Sequence, residues 1–293
     1  MAECVVNKTN LGLSQCNKLP AMPRGMITTP VNFQFTPAQL ADATAFKTAL
    51  QNALVNPKSS RVYLWAWFKN FENISEEAIY EDTPLAYQRV RDGQYRFRFH
   101  ISESMCYHKA MYTHKSNNGR VFLIDSENQI VGTVDDAGNF QGFLMSLLNT
   151  EKMVISDGSV STKSPVVVAL ANNKELDQSG FILDSSIASV VDDVYRLTDV
   201  TLTISNKTAA AFDVTVASSC DGTGIDGLVL ADFNVLTALG AAQQPTTVTA
   251  KGNGVYTLAR TGNFVTGSVN LVAAASLTVK AYESTGAVAL TIP

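Results

Sequence analysis

From Leu197 onward the chain becomes a succession of short segments in which apolar and polar side chains alternate. They fall at residues 201–205, 212–217, 246–250, 254–258, 268–272, 277–281 and 288–292, and Gly, Asn, Pro and Ser separate them. A period of two places successive side chains on opposite faces of an extended strand. Seven such strands at close spacing cannot bury their apolar faces singly, so residues 197–293 are expected to form a β-sandwich of immunoglobulin-like type. The preceding residues are different in character, with dense aromatic clusters and most of the charge.

That break implies two domains. A chain of 293 residues exceeds what one core usually organises, and 46% hydrophobic residues give each part enough apolar surface to fold alone. The net charge of −4 divides evenly, −2 on each side of Leu197, so neither part reads as a basic module for nucleic acid or membrane surfaces. The first residues lack a basic and apolar leader, and no apolar run approaches the length of a membrane span, so the protein is expected to begin in the cytosol with no membrane partner. Cys4, Cys16, Cys106 and Cys220 lie far apart with no framework spacing and are expected to be reduced structural thiols.

Residues 1–35, with Pro20, Pro23 and Pro30 and few charges, read as an extended arm able to wrap a neighbour. Thr36 and Pro37 supply an N-cap and a first-turn proline for a helix of about 19 residues that Pro57 stops. The aromatic run at 61–68 reads as a central strand. In 94–101, Tyr95, Phe97, Phe99 and Ile101 share one face, with Arg96, Arg98 and His100 on the other. An RNA-binding sheet exposes its aromatics, whereas here alternation turns them away from the arginines. A short helix over 102–115 and antiparallel hairpins through 120–170 complete the prediction for 36–196: an α+β domain, mainly β, of antiparallel sandwich or barrel-like form with a flanking helix.

Acidic Glu76, Glu77, Glu81 and Asp82 precede basic Arg89, Arg91, Arg96 and Arg98. Opposed charge this close serves either as complementary faces between subunits or as pairs within one chain, and the sequence leaves both open. Signatures of catalysis are absent. Of the three histidines, His100 and His114 have no Ser–Asp or carboxylate partners at triad spacing, and Cys106, His108 and His114 lack a fourth ligand for a zinc module. The stretch 221–227 reads as a glycine turn, since it lacks the alternating oxygens and final Glu of a calcium loop. No glycine loop cradles a phosphate. The expectation is a protein that is not an enzyme and carries no cofactor or metal. Sequons at Asn7, Asn73 and Asn206 carry little weight without a secretion signal.

Across residues 16–184 the order of segments 25–30, helix, aromatic strand, 79–84, 90–93, 108–110, 119–125 and 174–177 resembles virion structural proteins of tailed phages of Bacteroidetes-type hosts. Within that group it is most similar to a tail tube, or major tail, protein. The resemblance implies a sandwich or barrel with a helix on its flank and a long protruding hairpin, assembled as stacked hexameric rings, with an immunoglobulin-like domain outside the tube. It also implies a homo-oligomer that meets other virion proteins, is assembled in the host cytoplasm and resides in the virion. The long first domain and its arm also fit a capsid decoration or head-fibre protein whose sandwich binds host-surface glycans. A cytosolic hydrolase with a carbohydrate-binding module is the reading from a different class.

Overall fold

The computed structural model describes residues 19–83, 86–115, 118–272 and 282–292, with residues 82, 83 and 86–90 described by their backbone alone. The run at 277–281, the greater part of the predicted arm, Cys4, Cys16 and the side chains of Asp82 and Arg89 therefore lie outside the described residues. The chain divides into two compact units, Met1–Val194 and Tyr195–Pro293, so the boundary falls beside the compositional break. The fold is mainly β, with several antiparallel sheets and few helices.

In the first unit, β1 (Pro23–Thr29) precedes α1 (Ala43–Leu54), β2 (Tyr63–Leu64) and β3 (Asn70–Asn73). A hairpin follows, β4 (Ile79–Thr83) and β5 (Ala86–Arg91), then β6 (Arg96–Ile101) and α2 (Met105–Thr113). The remainder runs β7 (Arg120–Asp125), β8 (Ile130–Val134), β9 (Phe140–Gln141), β10 (Phe143–Thr150), β11 (Ser164–Leu170), α3 (Asn173–Asp177), β12 (Gly180–Leu183) and α4 (Ser185–Ala188). Strand order through the main sheet is β12-β8-β7-β10-β11-β6-β3, with β1 and β2 on the other side of β7.

The unbroken apolar run of β7 explains the layering. Val121 and Leu123 enter a core with Met26, Phe97, Phe99, Phe143 and Val168. Phe122 and Ile124 enter a second core with Ile27, Phe46, Leu50, Phe140 and Leu183. β7 is thus buried on both faces, one against β6, β10 and β11 and the other against α1, as a continuous hydrophobic strand requires. The other face of the β3-β6-β11-β10 sheet carries Glu72, Arg98 and His100, with Val167 and Leu147 on the strands beside them.

Several expectations are corrected here. Pro23–Thr29 is no wrapping arm: it pairs with β7 from Pro23↔Asp125 to Thr29↔Arg120, and Met26 and Ile27 are fully buried. The predicted long helix is two elements. Thr36 caps a 3₁₀ turn, Pro37–Leu40, through a capping box with Gln39, and Asp42 then accepts from the Ala45 N–H to start α1 afresh. A second good N-cap five residues into a helical pattern restarts the helix in place of extending it. The aromatic run at 61–68 contributes only β2 to the ladder. Past β2 the Trp65 and Phe68 amides still donate to the Met26 and Arg24 carbonyls, while Trp65 Nε1–H donates to Thr28 and the Ala66 amide to the Tyr107 hydroxyl, so backbone and side chains together anchor this segment.

The second unit contains β13 (Thr198–Ser205), β14 (Ala211–Ser218), β15 (Phe233–Thr237), β16 (Thr247–Gly252), β17 (Val255–Ala259), β18 (Gly267–Leu271), β19 (Tyr282–Ser284) and β20 (Val288–Leu290). Sheets ordered β16-β17-β14-β13-β19 and β15-β18-β20 enclose one core in which Val200, Phe212, Val214 and Tyr256 meet Phe233, Val235, Val269 and Leu290. This is the expected two-sheet sandwich. β15 and β19 were not among the alternating runs, and β19 joins β13 in parallel.

Candidate interaction surface of the first unit

The segment carrying the charge blocks is a hairpin that outgrows its sheet. β3 and β6 pair antiparallel from Asn70↔His100 to Asn73↔Phe97. The ladder continues past them through Ile74 N–H to the Arg96 carbonyl and Glu76 N–H to the Gln94 carbonyl. Beyond that point β4 and β5 pair only with each other among the described residues, from Ile79↔Arg91 to Thr83↔Ala86. Gly93 lets the two strands close at the base, since a Cβ there would overlap the Glu76 carbonyl oxygen. Asn173 fastens this base by donating its amide to the Gly93 carbonyl. A shallow cleft of about 400 Å³ lies here, lined by residues including Glu76, Arg91, Gln94, Arg96 and Lys174.

Three of the basic side chains predicted to face a partner, Arg91, Arg96 and Arg98, are held within the chain. Glu76 bridges two of them, with Oε2 at 2.8 Å from Arg91 and Oε1 at 2.8 Å from Arg96. Arg98 lies between Glu72 at 3.2 Å and Glu151 at 3.1 Å. Of the two arrangements the sequence left open, pairing inside one chain is the one observed for Arg91, Arg96 and Arg98. Glu77 and Glu81 are exposed on the hairpin. Glu72 and Glu151 were not singled out in the sequence. Their signal is the strand register, because Glu72 stands directly opposite Arg98 across β3 and β6.

His100 completes this polar face. It is buried, its Nε2 is 2.7 Å from Glu72 Oε1, and its Nδ1 has no hydrogen-bond partner. The His100 contact first and the Arg98 guanidinium second hold the Glu72 carboxyl below the usual range, and Glu72 and Glu151 raise Arg98. The arrangement is a charge-compensated ladder from Glu72 on β3 through Arg98 on β6 to Glu151, just past the end of β10. A nucleophile beside a base is not part of it.

The other candidate groups are spread elsewhere. His108 packs edge-on against Tyr112, with ring centres 5.0 Å apart, and His114 lies 4.3 Å from the Tyr63 ring. Cys106 and Cys220 are each disulfide-bonded, which corrects the expectation of reduced thiols for these two. Bridging depends on Cα separation in space, to which spacing along the chain is blind. Among the described residues no group of three or more His, Cys, Asp or Glu side chains is placed to hold a metal ion, and no helix is long and apolar enough to cross a membrane. Asp221 and Asp226 serve the turns between strands, accepting from the Thr223 and Gly254 amides.

The hairpin also exposes apolar surface, with Ile79 49% and Tyr80 47% accessible. A two-stranded ribbon with no third strand is marginal in water. No protein-family model matches the chain, and no curated protein matches it.

Proposed function

We propose that this protein is a non-enzymatic structural component of a tailed-phage virion, a tail tube subunit whose first unit polymerises into stacked rings and whose sandwich decorates the outside. The observation that carries this reading is the β4–β5 hairpin, which projects from a well-packed domain with Ile79 and Tyr80 exposed and, among the described residues, only its own two strands paired. Such an element gains most of its stability from what it docks against.

The test is to replace residues 79–91 with a short Asn-Gly turn and to compare assembly by negative-stain microscopy. Loss of rings and tubes from a subunit that keeps its circular dichroism is the expected outcome, and a full-length protein that stays monomeric at high concentration would refute the reading. Removing residues 197–293 is expected to leave assembly intact. A capsid decoration or head-fibre role is the second reading, supported by the fully exposed tip residue Leu239, 97% accessible, at one end of the sandwich. Lattice-matched copy number in purified virions, in place of stacked hexamers, favours that role.

A further inference from the structure

Strand register fixes which loops share an end of the polar sheet. Ser164 stands opposite Ile101, and Thr150 opposite Val166, so α2 and the 151–163 connection lie at the end of the sheet opposite the hairpin. The ends are separated by the length of β6, about 20 Å. Two hydrogen bonds join the far end into one surface: Ser102 to the Thr162 carbonyl at 3.1 Å, and Tyr112 to the Glu151 carbonyl at 3.2 Å.

That far end carries a second cluster of exposed apolar side chains. Met105 is 59% exposed, Ile155 76% and Val160 42%, with Tyr112 and Val154 beside them. Its charge is opposite in balance to that of the hairpin. Residues 74–93 carry five acidic side chains and two arginines, whereas 102–115 and 151–163 together carry four lysines and three acidic side chains. One of those three, Glu151, is already committed to Arg98. Lys109 and Lys152 are exposed on this end, as Glu77 and Glu81 are on the hairpin.

We propose that the α2 and 151–163 end of one copy is the docking surface for the β4–β5 hairpin of a second copy. The inference rests on the reading of the chain as a self-assembling subunit and adds the acceptor. Ile79 and Tyr80 pack against Met105, Ile155 and Val160, and Glu77 and Glu81 lie among Lys109 and Lys152. The contact is heterologous, one end of a subunit meeting the other end of the next, so it repeats along the strand direction and does not close in a dimer. Removing two apolar anchors at such a contact weakens association roughly tenfold or more.

The test uses full-length chains. Copies carrying Tyr80→Cys are mixed with copies carrying Ile155→Cys and treated with a short bismaleimide, with the unsubstituted chain as background. Cross-links between the two variants in large excess over links within either variant alone are expected, together with loss of assembly in a folded Met105→Glu, Ile155→Glu double variant. Tyr80-to-Tyr80 links in excess, or normal assembly of the double variant, overturn the proposed acceptor while leaving the self-assembling subunit standing. An unsubstituted chain that neither assembles nor supports cross-linking overturns both.

Discussion

The charge ladder of the first unit and a single carboxylate in the second are two opposite ways of carrying polar groups on β-sheets. The first spreads its charge over an open sheet face, where Arg98 is about one-third exposed and shared between two carboxylates that are no better shielded. The second concentrates it at one point. Asp213 is buried, and its carboxylate accepts from Lys251 at 2.8 Å, Thr257 at 2.6 Å and Asn206 at 2.6 Å. These contacts, Asn206 first, lower its pKa to about 2. The open ladder leaves side chains near water and adds little stability, whereas the enclosed carboxylate is integral to the sandwich. Polar surface that contributes little to folding is free to be shaped by contact with other molecules.

The comparison is broken most directly by testing whether the units stand alone. Phe99 and Phe212 are fully buried in separate cores. Phe99→Ala is expected to cost about 3–5 kcal/mol in the first unit and leave the second transition in a calorimetric scan unmoved, with Phe212→Ala giving the converse. One merged transition, shifted by either change, would show that the units fold as one.

A smaller effect sharpens the contrast in charge. Asp213 has a folded pKa depressed to about 2, below the unfolded value near 4, so its contribution is present above pH about 4 and is lost as pH falls through about 2. The loss is expected to be about 2 kcal/mol, confined to the second unit, and absent in Asp213→Asn, which has already lost it at neutral pH. Chemical denaturation of residues 195–293 across pH 2–5 measures this.

The smallest effect belongs to the ladder. Arg98→Met is expected to cost no more than about 1 kcal/mol and to lose much of that difference in high salt. A cost well above this, insensitive to salt, would place the ladder alongside Asp213 as a structural device.

The sequence reveals most where periodicity is local. The alternation at Phe97, Phe99 and Ile101 and that of the sandwich strands reappear as buried faces, and the division at Val194 lies close to the change in composition. What the sequence conceals is set by partners distant along the chain. The proline-rich stretch before Val31 forms β1 only because β7 offers it an edge 93 positions away, at Thr28↔Val121 and its neighbours. The charge pairs were divided into blocks by proximity, yet the carboxylates that hold Arg98 are Glu72 and Glu151, one on the adjoining strand and one beyond β10. The helix at 36–54 was misjudged for a local reason, the competing cap at Asp42.

β7 has a consequence for how this protein tolerates change. Val121, Phe122, Leu123 and Ile124 are consecutive and all buried, in two cores that share no other strand so completely. In β13, by contrast, buried Val200 and Leu202 alternate with exposed neighbours. A saturation mutagenesis map should therefore show a solid block of four intolerant positions at β7 and a picket-fence pattern at β13. Every lineage of this chain must keep that block apolar, which leaves little room there for evolving a new surface.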